Sequence, residues 1–463
     1  MMKVLVFPAA LIPIGAALPA IGTGLIALAA ATAWGQDALA LRDAVGLALR
    51  ENRAMTAASE GMRAAETRVE QARAGHLPKL NYSESLTRGD NPVYVFSSLL
   101  TQHQFGAPNF AFGSLNRPDA LNNFQSLVTA DQTLYDGGLT RNATRAANLG
   151  RELAEEDTRR VRMETIVAAA RAYHDAVLAG ESLKTADQAM RSAEADLRRA
   201  ETVRAAGMST DVDVLSIRVH LAGVTEQRIR RAADLDVARA ALNDALGQPL
   251  DARQTLTTAL TPADLPETAL DSLEHDAVQR RPEARQTHVA TSLANTQVDA
   301  ARVSQGPQIS LHTAFETDRQ TFATRGGANW LAAVSLRWNL FNGFSDRARI
   351  AEASHAVRRA EADAQRTDSA IRLQVRRAYA DLRAAEQRIE VARAAVAEAE
   401  ESLRITQNRF QAGMSNVTDL LRNETAVLDS HTRYLAAVHD QRVAALMVEF
   451  AAGRLAVDSE VLN

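Results

Sequence analysis

RAAGMSTDVDVL (204–215) and FQAGMSNVTDLL (410–421) lie 206 positions apart and share six columns: Ala, Gly, Met and Ser, then Asp213 with Asp419 and Leu215 with Leu421. The same offset places Arg171-Ala172-Tyr173 on Arg377-Ala378-Tyr379, and Leu134-Tyr135-Asp136-Gly137 on Leu340-Phe341-Asn342-Gly343. An offset of 229 aligns an earlier stretch, with Leu77-Pro78-Lys79-Leu80 on Gly306-Pro307-Gln308-Ile309 and Ala72-Arg73 on Ala301-Arg302. The 23-residue difference is an insertion in the first half, within about 91–120. One structural unit is written twice, and a repeat of this size governs the whole fold.

The prolines mark where long helices are allowed. Residues 119–248 and 308–463 contain none, while Pro249, Pro262, Pro266 and Pro282 cluster between the halves. Proline breaks helix interiors. Each half then reads as a helix (about 39–75, about 271–304), two strands, a long helix and a shorter returning helix. The clearest strand signal is Val334–Phe341, where Val334, Leu336, Trp338 and Leu340 alternate with Ser335, Arg337 and Asn339. Residues 122–136 and 307–316 alternate less cleanly, and 79–88 alternate poorly. Strands of about ten residues suit a tilted bilayer crossing, and equally an ordinary half-buried sheet.

The long helices carry a seam. Steps of four and three run Ile371, Val375, Ala378, Leu382, Ala385, Ile389, Ala392, Val396, Ala399, Leu403, Thr406, Phe410. This is a heptad pattern with one large and one small column. The small column recurs as Ala172, Ala179, Ala186, Ala193 and Ala200. Alanine at every seventh position lets two helix backbones approach closely. Helices over 139–206 and 345–411 would each run about 100 Å, a length that suits a tube or stalk.

AGMS is read as the tip of a helical hairpin. Gly207 and Gly413 end the long helices in the left-handed conformation. Ser209 or Thr210, and Ser415 or Asn416, cap the returning helices. Asp213 and Asp419 sit in the first turn, where the helix dipole favours negative charge. The turn explains glycine and serine but not Met208 and Met414, whose exposed apolar chains fit contact with a partner.

At the N-terminus, Lys3 is the only charge before Asp37, and the apolar stretch between them is interrupted by Pro8, Pro13 and Pro19 and ends AATAWG. Residues 1–35 are read as a secretory signal peptide. A retained membrane helix is the alternative on length alone. All the basic residues but Lys3 lie beyond it, so 36–463 carries 51 basic and 56 acidic residues, net −5. No basic footprint for nucleic acid results. The chain has no cysteine, which excludes disulfides, thiol catalysis and thiolate metal sites.

Two copies of helix–strand–strand–long helix–AGMS turn–helix behind a signal peptide resemble the TolC-like outer-membrane efflux proteins. LYDGG (134–138), LFNGF (340–344), GMSTDVDVL and GMSNVTDLL carry the resemblance over essentially the whole mature chain. It implies a mainly α chain with a small β part, assembled as a homotrimer. Four strands per chain would form a twelve-stranded β-barrel in outer-membrane lipid, continued by an α-helical barrel through the periplasm of a diderm bacterium. The division is then signal 1–35, repeat 1 at 36–248, linker 249–270, repeat 2 at 271–453 and tail 454–463. Tyr135, Gly137, Phe341 and Gly343 would mark the junction of barrel and helices.

The resemblance also implies that the tips, Gly207–Thr210 and Gly413–Asn416, dock on a periplasmic adaptor that serves an inner-membrane transporter. An aspartate ring narrows the entrance in the family. Asp419 matches one member of that ring, the other falls at Arg422, and an arginine that latches the closed entrance falls at Ser415. Asp213 holds the equivalent place at the first tip. A cation-selective gate is therefore half matched. The insertion, with Tyr94, Phe96, Phe105, Phe110 and Phe112, would lie at the outer mouth, either covering it, anchoring in the lipid interface, or running as a long surface loop.

No catalytic motif appears. HExxH, GxSxG and a phosphate loop are missing, and no two histidines stand three or four apart on a helix. Glu155-Glu156 and Glu400-Glu401 lie on arginine-rich helix faces and read as ion-pair surfaces. No enzyme activity, cofactor or metal is expected. The sequence thus points to a passive exit duct of an efflux pump or type I secretion system. The alternative is a coiled-coil scaffold without a pore, which would need no strands.

Overall fold

The computed structural model describes residues 38–264, 268–324 and 326–463; the signal-peptide reading of 1–35 lies outside them. A short strand, β1 (Ala38–Leu39), leads into α1 (Leu41–Glu51) and α2 (Arg53–Arg73). Next come β2 (Lys79–Gly89), α3 (Pro92–Thr101), α4 (Phe112–Asn116) and β3 (Leu121–Tyr135). The 67-residue α5 (Leu139–Ala205) and the returning α6 (Asp211–Leu246) complete the first half. β4 (Thr255–Leu256) pairs in parallel with β1. The second half runs α7 (Leu270–Arg280), α8 (Pro282–Val303), β5 (Gln308–Arg319), β6 (Gly327–Arg337), a second 67-residue helix α9 (Ser345–Gln411), and α10 (Val417–Ala451). The chain is mainly helical, and among the described residues no helix is long and apolar enough to cross a membrane.

The opening helix of each half is not continuous. Asn52 separates α1 from α2 and Arg281 separates α7 from α8, both in extended backbone. Pro282 forces the second break, since the residue before proline is pushed out of the helical region. Asn52 makes the first by capping α2, where its Oδ1 accepts from Ala54 N–H at 2.8 Å while its Nδ2 donates to the Ala245 carbonyl. Each break receives the C-terminal glycine of a returning helix. Gly247 (φ +73°) lies so close that a Cβ there would stand 2.5 Å from the Glu51 carbonyl oxygen, and Gly453 (φ +69°) approaches Arg281 in the same way.

The core lies where these breaks meet the middles of the long helices. Leu41, Val45, Ile166, Leu246, Leu273 and Leu446 are fully buried there. Tyr173 is also fully buried, and its hydroxyl donates to the Leu39 carbonyl (2.8 Å) while accepting from Thr257 and Thr258 N–H. That oxygen ties β1 and β4 to α5. The heptad seam faces inward. Ile371, Val375, Ala378, Leu382, Ala385 and Ile389 are buried, as are Ala186, Ala193 and Ala200 on α5.

The four longer strands form one antiparallel sheet in the order β2-β3-β5-β6, with β2 and β6 as open edges. β6 occupies Gly327–Arg337 rather than Val334–Phe341. Beyond Arg337 the chain leaves the sheet, and the Trp338 indole N–H donates to the Gln305 carbonyl at 3.1 Å. The apolar alternation therefore continues past the last ladder hydrogen bond.

Candidate functional site: sheet faces, junction and hairpin tips

Register sorts the sheet's side chains into two unlike faces. One face carries Leu80, Tyr82, Val128, Phe315, Trp330 and Val334, of which all are exposed in the single chain. The opposite face is polar and internally hydrogen-bonded. Asn123 donates to Asp318 (2.6 Å), Gln125 donates to Glu316 (3.1 Å), and His312 pairs with Asp131 (2.6 Å). An exposed sheet with one apolar and one polar face, open at both edges, is unfinished alone. Near its outer end the apolar face carries charged groups that pair within it: Arg319 forms an ion pair with Glu84 and donates to the Ser126 hydroxyl, and Arg88 donates to Asn122.

The insertion is ordered and lies on the polar face. Asn91 caps α3 and Pro92 takes its first position. Past α3, the buried Gln102 donates to the Asn122 carbonyl and to Asn123 Oδ1, both at 2.9 Å. Asn329 Nδ2 donates to the Thr101 carbonyl. Gly327 leaves the room for this approach, since a Cβ there would meet the Thr101 oxygen. Phe96, Phe105 and Phe110 pack edge to face, with centroids 4.6 and 5.0 Å apart. The segment is thus built as a cover over the polar face rather than a loose loop, and Phe110 and Phe112 stay exposed on it.

At the junction, Tyr135 ends β3, whereas Phe341 lies beyond the end of β6 and packs edge-on to Phe344 at 5.4 Å. Gly137 and Gly343 take φ of +66° and +67°, and the next residues, Gly138 and Phe344, are left-handed too. Asp136 caps α5, with Oδ1 accepting from Gly138 N–H and Oδ2 from Thr140 N–H. Asn342 takes the equivalent place before α9, accepting from Asp346 N–H at 3.5 Å.

Both tips close as Schellman turns. Gly207 N–H donates to Arg204 O and Met208 N–H to Val203 O; Gly413 and Met414 repeat this on Phe410 and Arg409. Thr210 and Asn416 are the caps. Asp213 accepts from Thr210 N–H, the Thr210 hydroxyl and the Ser209 hydroxyl, and these bonds hold its carboxyl below the usual range. Asp419 accepts from the Ser415 hydroxyl at 3.3 Å, and its N–H donates to Asn416. Arg422 is exposed and makes no ion pair with Asp419 among the described residues. Met208 and Met414 point into solvent. Each aspartate thus first serves its own turn.

One cluster near the tips has no local sequence signature. Asp196 on α5, His220 on α6 and Glu424 on α10 meet in a buried joint, with His220 Nε2 3.3 Å from Glu424 Oε2. The residues come from both halves and are too far apart in sequence to form a motif. Among the described residues, no group of three or more His, Asp or Glu is arranged to hold a metal ion.

Comparison with known proteins follows the same geometry. CyaE of Bordetella pertussis is 29% identical over 431 residues, covering 90% of this chain and 85% of that protein. The outer membrane efflux protein BepC of Brucella suis is 24% identical over 440 residues, covering 92% and 88%. The outer membrane channel CmeC of Campylobacter jejuni has the same fold, with a TM-score of 0.76 at 17% identity over 93% of this chain and 92% of that one. The sequence profile described as outer membrane efflux protein matches residues 44–248 and 273–454, taking in both long-helix hairpins and all four strands of the sheet. The match spans both halves, and the chain belongs to the outer membrane efflux protein family.

Proposed function

We propose that this chain is the outer-membrane exit duct of a tripartite efflux pump or type I secretion system. It conducts substrates passively from a periplasmic adaptor and inner-membrane transporter to the outside. The observation that carries this is the bifacial sheet, open at both edges and continuous with two 67-residue helices. Open edges cannot face lipid, because their N–H and C=O groups would be unsatisfied. Edge-to-edge joining of β6 to β2 in three copies gives twelve strands, with the apolar face to lipid and the polar face to a lumen. The α3 segment then lies inside the outer mouth.

The helices support the same closure. α6 packs mainly on α5, and α9 mainly on α10, so α6 and α9 are the free flanks of the rod. Val212, Leu215, Val219 and Ile229 run along the free side of α6 at near-heptad spacing, all exposed. A second copy's α9 would cover them. Val219→Asp is expected to weaken assembly by about 2 kcal/mol per subunit, from lost apolar burial and a desolvated charge. Wild type should run on a detergent gel as a heat-labile trimer and conduct in a planar bilayer. Val219→Asp should lose the trimer band at a lower temperature. A wild-type chain that behaves as a soluble monomer would end this reading.

At the entrance, three copies of Asp419 would ring the axis. Asp419→Ala is expected to raise the concentration of multivalent cation needed to block conductance, by about tenfold on the scale of one charge-assisted contact. Unchanged block would remove Asp419 from the gate and leave it as a helix-turn residue.

A further inference from the structure

A second site stands at the sheet–helix junction. A cleft of 900 Å³ opens over the first turns of α5 and the last turns of α2 and α8. Arg73, His76, Arg141, Arg145 and Arg302 line it, against Asp299 and Glu152. Arg302 makes only a long ion pair with Asp299, at 3.9 Å. Arg73, Arg141 and Arg145 are exposed and make no ion pair or hydrogen bond among the described residues. Elsewhere on the long helices arginines commonly pair with a carboxylate three or four positions away, as Arg160 does with Asp157 and Glu164.

The placement is costly locally. The start of a helix carries a partial positive charge and favours acids. α5 has no acidic residue in its first turn and carries Arg141 there, with Arg145 one turn on. Asp136 caps the helix start and Asp299 and Glu152 stand in the cleft, but Arg73, Arg141, Arg145 and Arg302 outnumber these acids, so an external anion suits the charge left over. Several guanidinium forks around one concavity suit the tetrahedral, multiply charged oxygens of phosphate. Exposed Tyr135, Trp338, Phe341 and Phe344 surround the same junction, as aromatic residues do at a bilayer surface.

We infer that this cleft binds an anionic phosphate group, of a phospholipid headgroup or of free phosphate. The lipid source rests on the duct reading, because only a membrane-inserted sheet puts the junction at headgroup depth; phosphate binding itself does not. The test is native mass spectrometry of the full chain in detergent with phosphatidylglycerol, phosphatidylcholine or inorganic phosphate added, for wild type and Arg141→Ala/Arg145→Ala. Wild type should retain phosphatidylglycerol over phosphatidylcholine, and the double variant should bind it about thirtyfold more weakly. Arg141→Lys/Arg145→Lys should fall between, keeping charge but losing the fork. Competition by inorganic phosphate without retention of phosphatidylglycerol assigns the site to free phosphate. Equal retention by wild type and the alanine variant, or no binding of either ligand, overturns the site. Trimer formation and conductance in the same samples report separately on the duct.

Discussion

Gly247→Ala is expected to destabilise the fold by about 4 kcal/mol, while the same change at Gly207 costs only about 1 kcal/mol. Both glycines have nearly the same left-handed backbone, with φ of +73° and +74°. The strain of placing an alanine there is therefore common to the two. They differ in what the new Cβ meets. At Gly207 nothing lies within 4 Å, whereas at Gly247 the Glu51 carbonyl carbon and oxygen lie at 2.7 and 2.5 Å. Those atoms are backbone at the α1–α2 break and cannot move without disturbing α1, whose Leu41, Ala44, Val45 and Ala48 are fully buried. Gly453→Ala should fall between, because its nearest neighbours stand at 3.1 Å and one is the flexible Arg281 Cγ. The measurement is the thermal unfolding midpoint of the three variants, followed by circular dichroism. Equal losses at 207 and 247 would show that backbone strain, not the fit into the break, sets the cost.

These contacts mark how far the sequence could be read. The hairpin turns were legible because they are local: a glycine, then a hydroxyl or amide side chain, then an aspartate three positions after the cap. The buried seam was legible because the helical period repeats without interruption. The breaks were harder. Pro282 signals its own, but Asn52 looks like any polar residue in a helix until the Ala245 carbonyl arrives from α6 to hold it. The edges of the sheet were misread for a related reason. Trp338 and Leu340 continue the alternation, but no partner strand remains opposite them. Conversely, residues 79–88 alternate poorly because Glu84 and Arg88 stand on the apolar face, where Arg319 and Asn122 meet them across the sheet. α3 had its signal in Asn91-Pro92, a cap followed by a first-turn proline, which length alone obscured.

The joint of Asp196, His220 and Glu424 illustrates the opposite limit, since no one stretch contains it. It makes the rod's lower end sensitive to pH. Burial, a hydrogen bond to Glu424 and that carboxylate's charge push Asp196 up to about 7. Burial also disfavours the charge on Glu424, but His220 and the neighbouring Asp196 and Ser192 side chains outweigh it and hold this carboxyl below its usual range. Arg199 Nη1 lies 3.5 Å from Asp196, and His431, paired with Glu400, lines the same pocket as His220 and Glu424. Near neutral pH the two acids therefore hold one proton between them. The sign follows from proton binding. The folded state keeps the Asp196 proton where the unfolded chain, with a carboxyl near 3.8, has lost it. That stabilisation is complete below about pH 4 and is lost as pH rises through 7. Glu424 acts oppositely, stabilising above its unfolded value and ceasing to do so as pH falls through its lowered one.

Between these limits the joint is strongest, and raising pH past 7 should loosen α10 from α5 and α6. The full Asp196 contribution is about 4 kcal/mol per chain as an upper bound. The protein's melting temperature should fall from pH 6 to pH 8, and channel opening in a bilayer should rise over the same interval. Asp196→Asn retains the shape and hydrogen bond of the protonated acid and has no proton to release, so it should flatten both profiles at the low-pH level. A wild-type profile that is flat from pH 6 to pH 8, or an Asp196→Asn profile as steep as wild type, would remove this joint as the source. His220→Gln separates the partners further, because it withdraws the group that keeps Glu424 ionised. It should weaken the joint at pH 6 while leaving the Asp196 carboxyl in place.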